Sequence, residues 1–172
     1  YSDEKGHPLD MDRVWPSVEL IQIMGWVNDE QIIKNKPAEI EELVKFHDLD
    51  YVEALKKAEE ELDLPDYLKR KYNIGIGNNP VFSEVFSRPA SAAKATIKAV
   101  QMTTNKQAKK ILNMSKGPHH CRKSEAFGFC FLYDCVLAIL KALELGFSKV
   151  LYIDIDAHHC DGVQDVFLNK EN

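Results

Sequence analysis

The segment from Lys149 to Asp161 constrains the fold of this chain more than any other part of the sequence. It opens with Lys149-Val-Leu-Tyr-Ile-Asp-Ile155, a mostly apolar run rich in β-branched residues, and a helical pattern at about 133–145 ends at Gly146 just before it. A helix followed at once by such a run predicts an α/β unit whose strand is buried in a parallel sheet. Ligand sites in these sheets lie outside the carboxyl ends of the strands. Ligand-binding residues are therefore expected where this run ends.

Metal-binding residue types are concentrated at that point, in Asp154-Ile-Asp156-Ala-His158-His159-Cys160-Asp161. Because side chains alternate along a strand, Asp154, Asp156 and His158 are predicted to project from one face. Two carboxylates and an imidazole on a buried face are costly unless they are paired, and a divalent metal removes that cost. Aspartate with histidine suits zinc. The alternative is a hydrogen-bonded polar strand end without metal, and the density of donors favours the metal site.

A second cluster is the histidine pair His119-His120, which follows Gly117 and Pro118. If the loop curls inward, both imidazoles can serve as general acid or base, since histidine exchanges a proton near neutral pH. Taken alone, an adjacent pair of histidines in a loop is more typical of a protein surface. The neighbouring segment Glu125-Ala-Phe-Gly128-Phe129-Cys130 is usual for core packing, but it can also line a narrow apolar slot.

The bulk properties exclude several classes of protein. The chain has 172 residues, 45% of them hydrophobic and 28% charged, and a formal net charge of −5. This composition predicts one globular domain over residues 1–172, without the basic surface that direct nucleic-acid binding requires. No apolar run reaches membrane-spanning length. The four cysteines lack the spacing of a zinc ribbon or disulfide framework and are interpreted as reduced thiols in a cytosolic protein.

The chain before residue 119 reads as helices joined by short loops, without internal repeats or linkers. The predicted elements are a helix from Pro37 to His47, a helix capped by Asp50 and carrying Val52, Leu55 and Leu62, a loop at 73–80, a helix at 90–102 and a short buried strand at 108–114.

Together these features resemble the arginase/deacetylase superfamily, in particular class I histone deacetylases and acetoin-utilisation deacetylases. The two densest segments are His119 to Cys130 and Val150 to Val163. Further matching segments are Gly6-His-Pro-Leu9, Arg13, Lys45-Phe-His47, Tyr51 and Asn79-Pro80-Val-Phe82. The resemblance implies an arginase/deacetylase fold, with a parallel sheet flanked by helices and cut here before its C-terminal strands.

The resemblance also implies roles for the histidines and acids. Asp156 and His158 match two zinc ligands, the third being an Asp further along the family's sequence. His119 and His120 match the catalytic pair, of which the second is the base that activates water. Asp154 and Asp161 match the carboxylates that orient His119 and His120 respectively.

Other matches concern substrate and a second cation. Gly128 and Phe129 match a tunnel that holds the lysine stem, and Asn78 falls at or beside a rim position where the family has an Asp. The oxygens that hold structural potassium ions in the family match Asp154, Asp156 and His158, with Phe167 matching a carbonyl ligand of a second potassium.

The implied reaction is zinc-dependent hydrolysis of an acetyl-amide, with an oxyanion-stabilising Tyr that the family places beyond Asn172. The third zinc ligand falls there too, so the isolated 172 residues are expected to be inactive. Besides Asn78, three residues depart from the family pattern: Lys116 and Pro118 before the histidine pair, and Cys160 in place of a glycine. If that position needs a positive φ, Cys160 would strain the loop.

Two other functions remain open from the sequence, a dimanganese ureohydrolase of the same fold and a non-catalytic acetyl-lysine-binding scaffold. The substrate is open as well, either an acetylated lysine in a protein or a small acetyl-amide such as an acetylated polyamine. The expected location is the cytoplasm, or the nucleus in a eukaryote.

Overall fold

The computed structural model describes residues 14–115 and 117–168. The matching segments at Gly6–Leu9 and Arg13, together with Lys116, lie outside the described residues. The described helices are α1 (Val14–Ile23), α2 (Ile40–Leu43), α3 (Leu49–Glu61), α4 (Asp66–Tyr72), α5 (Ser87–Thr104), α6 (Asp134–Glu144) and α7 (Asp161–Phe167), with a single 3-10 turn at Asp29–Gln31.

The core lies between helices α3, α5 and α6. Tyr51, Val52 and Leu55 on one face of α3 are completely buried, because apolar side chains three and four positions apart share a helix face. Helix α5 is rich in alanine, whose small side chains let it pack closely along α6. The buried Tyr51 hydroxyl donates to the carbonyl of Phe131 at 2.7 Å, which ties α3 to the segment before α6.

Several predicted helices are confirmed with shifted ends. The 90–102 helix is α5, the 133–145 helix is α6, and Gly146 follows α6 with a φ of +95°, as expected after a helix end. Asp48, rather than Asp50, is the residue that precedes the first turn of α3. The predicted helix from Pro37 to His47 shortens to the single turn of α2.

The predicted strands are wrong for the described residues. These contain no sheet and only two isolated bridges, Ile76 with Asn79 and Phe127 with Cys130. The segments 108–114 and 149–155 are irregular. Leu151, Ile153 and Ile155, expected to be buried, are 83%, 71% and 95% exposed.

The physical reason is that no other strand lies beside 149–155 in the described residues, so its backbone has no ladder to join. Local hydrogen bonds also turn the chain: the amide of Asp156 donates to the Asp154 carboxylate at 3.0 Å, and the amide of His158 donates to Asp156 at 2.8 Å. Such side-chain bonds to an amide two residues on compete with strand pairing. Within the described ranges, no helix is long and apolar enough to cross a bilayer.

Candidate active site

The first histidine–carboxylate pair joins His119 to Asp154. His119 is buried, and its ring Nδ1 lies 2.8 Å from Asp154 Oδ2, which confirms the contact predicted from the sequence. The same carboxylate oxygen accepts a 2.6 Å hydrogen bond from the Tyr152 hydroxyl. The hydrogen bond from Tyr152, together with bonds from the Asp156 amide and His119, lowers the pKa of Asp154 to about 2. Asp154 is therefore ionised at neutral pH and fixes the orientation of the His119 ring.

The second pair joins His120 to Asp161, the first residue of α7. The ring Nδ1 of His120 lies 2.6 Å from Asp161 Oδ1, which confirms the second predicted contact. Burial alone would raise the pKa of Asp161, but hydrogen bonds from His120 and the Gly162 amide hold it below its ordinary value. Because each Nδ1 faces a carboxylate, Nε2 is the nitrogen of each ring that remains for substrate.

The two pairs are held side by side by the packing of α7. The rings of His119 and His120 have centroids 4.1 Å apart. The buried Tyr133 hydroxyl donates to the backbone carbonyl of His119 at 3.2 Å, and it lies where a Cβ on Gly162 would be, 1.3 Å away. Glycine at 162 therefore lets α7 approach Tyr133 and places Asp161 against His120.

The two predicted zinc ligands are also brought together. Asp156 Oδ1 and His158 Nδ1 are 2.9 Å apart, within hydrogen-bond distance of each other. Their side chains are 51% and 78% exposed, and the His158 ring lies 6.0 Å from that of His120. The His158 amide and ring donate to Asp156 and keep the pKa of its carboxyl below its ordinary value. The pair thus has the donor types for zinc.

A complete metal site is not formed within residues 14–115 and 117–168, where no group of three or more His, Cys, Asp or Glu side chains is arranged to hold a metal ion. Phe167, predicted to contribute to a second potassium site, is half-buried at the end of α7. Cys160 has a φ of −80°, so the condition for strain, a positive φ, is not met, and this position immediately before α7 does not require a glycine.

The predicted slot residues form a tight turn against His120. Gly128 and Phe129 have φ values of +55° and +63°. A Cβ on Gly128 would lie 2.8 Å from the His120 ring, so only glycine allows the turn this close to His120. Phe129 is half-buried, whereas Asn78 is exposed on the neighbouring 76–79 turn.

Two polar residues of this region were not assigned from the sequence. Tyr152 contacts the Asp154 carboxylate, and the alternation that grouped Asp154 with Asp156 also places Tyr152 on that face, so a signal was present. Asn79 is completely buried and contacts the backbone of Phe129. No residue pattern indicated that contact, because it joins segments far apart in sequence.

Comparison with known proteins identifies relatives over most of the chain. Residues 7–172 match the family model for the histone deacetylase domain. Histone deacetylase 8 of Xenopus tropicalis is 37% identical over 148 residues, covering 86% of this chain and 40% of that protein. Human histone deacetylase 1 is 33% identical, covering 97% of this chain and 34% of that protein.

Two solved structures of histone deacetylase homologs are also similar to this chain. An HDAC homolog complexed with SAHA has a TM-score of 0.87 and 37% identity over 97% of this chain and 44% of its own. An HDAC homolog from Aquifex aeolicus has a TM-score of 0.89 and 36% identity over 99% of this chain and 45% of its own. These likenesses support the arginase/deacetylase fold. The chain spans less than half the length of these relatives.

Proposed function

Because the chain belongs to the histone deacetylase family, we propose that it provides the histidine pair and two zinc ligands of a deacetylase that hydrolyses an acetyl-amide, such as acetyl-lysine. The observation that carries the proposal is the pairing of both histidines with ionised carboxylates, His119 with Asp154 and His120 with Asp161. Two adjacent imidazoles oriented in this way suit a reaction that takes a proton from water and returns one to an amine.

The roles follow from which atoms remain available. His120 acts as the general base: Asp161 holds its Nδ1, and its Nε2 takes the proton from the attacking water. The proton that His120 holds then passes to the leaving amine, while His119, more deeply buried and oriented by Asp154, stabilises the charge beside it. The carboxylates keep each ring in one tautomer and one orientation.

Asp156 and His158 are the proposed zinc ligands. When bound, zinc would polarise the acetyl carbonyl and make the attacking water more acidic. A catalytic zinc site uses three protein ligands, so a third donor has to come from outside the described residues. Both residues would hold the metal only in their deprotonated forms, a carboxylate and a neutral imidazole, so zinc binding should weaken in acid.

Gly128 and Phe129 are proposed to line the slot for the acylated side chain. The Phe129 ring offers an apolar wall for a methylene stem, while Gly128 keeps the turn close to His120. A lysine stem fits such a slot, because its methylenes pack on apolar surface while only the acylated end reaches the histidines. An acetylated lysine in a protein and a small acetyl-amide both satisfy this description.

The test is metal removal and replacement on the natural gene product. Purified protein should contain zinc, hydrolyse an acetyl-lysine peptide, lose that activity to a chelator and recover it when zinc is restored. Release of urea from arginine with two manganese ions per chain would instead identify a ureohydrolase. Stoichiometric zinc with peptide binding but no hydrolysis would identify a scaffold. Either result would overturn the proposal.

A further inference from the structure

We propose that Asn79 is a positioning residue that holds the Gly128–Phe129 turn against His120 and so sets the shape of the substrate slot. The inference rests on the proposed function, since it concerns the slot of that same site.

The turn needs an external restraint. Phe127 and Cys130 close it with two backbone hydrogen bonds of 3.0 and 2.9 Å, and both central residues have positive φ. Glycine adopts this conformation at no steric cost, but phenylalanine at +63° does so against the contact of its Cβ with the backbone. Such residues persist where surrounding contacts over-determine them, typically at ligand sites.

Asn79 provides that restraint. Its side chain is completely buried, and its Oδ1 accepts the amide N–H of the strained residue Phe129 at 3.0 Å. Its Nδ2 donates to the carbonyl of Ala126, immediately before the turn, at 3.3 Å. One amide side chain thus contacts the turn on both sides of Gly128.

Asn79 is itself held in place. Its amide donates to the carbonyl of Ile76 at 3.0 Å, and its carbonyl accepts the amide of Gly75 at 2.7 Å. The 75–79 turn is therefore closed by backbone bonds, and the Asn79 side chain extends from a fixed base to the slot.

The other side of the slot turn faces the base. The position of a Cβ on Gly128 lies 2.8–3.0 Å from atoms of the His120 ring, and the Phe127 ring centroid lies 6.4 Å from that of His120. A shift of the turn therefore moves the slot wall relative to His120. Loss of Asn79 should impair the fit of the acylated stem more than the proton transfer at His120.

The experiment uses the natural gene product and the variants Asn79→Leu and Asn73→Gly. Leucine keeps the branched heavy-atom shape of asparagine, although it is somewhat larger, and makes no hydrogen bond. Asn73 is the matched control, because its Nδ2 donates to the same Ala126 carbonyl, at 2.9 Å, and glycine tolerates its φ of +54°. Kinetics on an acetyl-lysine peptide, zinc content and thermal unfolding are measured for all three proteins.

We expect Asn79→Leu to raise KM about tenfold or more while kcat changes less, as for lost substrate positioning, with zinc content unchanged. Asn73→Gly should keep the native KM. Equal KM values for Asn79→Leu and the unmodified protein, or equal increases in both variants, would overturn the inference. If the unmodified protein is inactive, the proposed function fails instead.

Where Asn79→Leu does not fold or the protein is inactive, hydrogen exchange at the Phe129 amide tests whether Asn79 holds the turn. The Phe129 amide of the unmodified protein should exchange slowly, because Asn79 accepts its hydrogen. Exchange at the rate of an unprotected amide would show that Asn79 does not hold the turn.

Discussion

The helical layer formed by α3, α5 and α6 and the segment from Lys149 to Cys160 are stabilised in different ways. In the layer, apolar side chains fill a common core, in which Leu55 and Leu137 are buried. In the segment, the apolar side chains of Leu151, Ile153 and Ile155 are exposed, and the polar side chains make the contacts. The acid-bearing segment is therefore held mainly through its functional groups.

This difference teaches that the site is attached to the helical layer by a few directional bonds. Asp154, which accepts the Tyr152 hydroxyl within the segment, holds the middle of the segment at His119, and Asp161 holds its end at His120. Hydrogen bonds to charged groups are stronger than neutral ones, so a few of them can fix a segment that lacks a core. The following tests act on one region and leave the other unchanged.

The largest effect is expected from core truncation. Leu55→Ala should lower the unfolding free energy by about 2–5 kcal/mol, because it leaves a cavity in the layer. In the 172-residue chain, Ile155→Ser should change it by no more than about 0.5 kcal/mol, as for a surface position. Denaturant titration followed by circular dichroism measures both. A large loss from Ile155→Ser would show that the segment packs against a core after all.

A pH-dependent effect is expected at His47, which links the layer to the site. Its Nδ1 donates to the Lys123 carbonyl at 2.9 Å, and its Nε2 accepts the Tyr133 amide at 3.0 Å. Burial lowers the pKa of His47 from 6.5 to about 4, so the unfolded chain binds a proton more readily between these values. The contribution of His47 to the free energy of unfolding is fully present above pH 6.5. It decreases as the pH falls, and roughly 3 kcal/mol of it is lost at pH 4.

His47→Gln should remove this dependence, since glutamine also offers one donor and one acceptor. The unmodified protein should gain stability relative to His47→Gln as the pH rises from 4 to 6.5. Burial raises the pKa of Asp134 to about 6, and that carboxyl acts oppositely, losing stability as the pH rises, but it is present in both proteins and cancels. A constant difference across the range would contradict the assignment.

A smaller effect is expected from Tyr152→Phe, which removes one hydrogen bond to the Asp154 carboxylate. The Asp154 carboxylate would lose its 2.6 Å bond and hold His119 less firmly, so kcat should fall about tenfold, as for one hydrogen bond to a charged group. Tyr67→Phe, at an exposed site on α4, is the matched control. The nuclear magnetic resonance signal of the His119 ring proton should shift only in the first variant. An unaltered His119 signal in Tyr152→Phe would show that the Tyr152 hydroxyl does not help Asp154 to orient His119.

The side-chain contacts of the site were predicted better than the strands. The family resemblance implied both histidine–carboxylate contacts, and residue type and alternation predicted the proximity of Asp156 to His158. The helices α5 and α6 were also predicted, since their apolar periodicity is local. The prediction of a strand at 149–155 was wrong, because the burial of a strand depends on neighbouring strands that its own sequence does not specify.

The contacts of Asn79 and Tyr152 show the same limit. Asn79 and Phe129 are 50 positions apart, and no local pattern joins them. Similarly, no sequence pattern indicates why residue 162 is glycine. The structure gives the reason, because the Tyr133 hydroxyl occupies the place of a Cβ at this position.

The most direct test of the central claim, that the carboxylate pairs make the histidines catalytic, compares Asp161→Asn with Asp165→Asn in the natural gene product. Both acids lie on α7, but Asp165 is exposed and only Asp161 contacts His120. Asp161→Asn should lower kcat for an acetyl-lysine peptide about 100-fold with zinc retained, since an orienting partner has been lost. Asp165→Asn should keep full activity. Equal kcat values for the two variants would contradict the account.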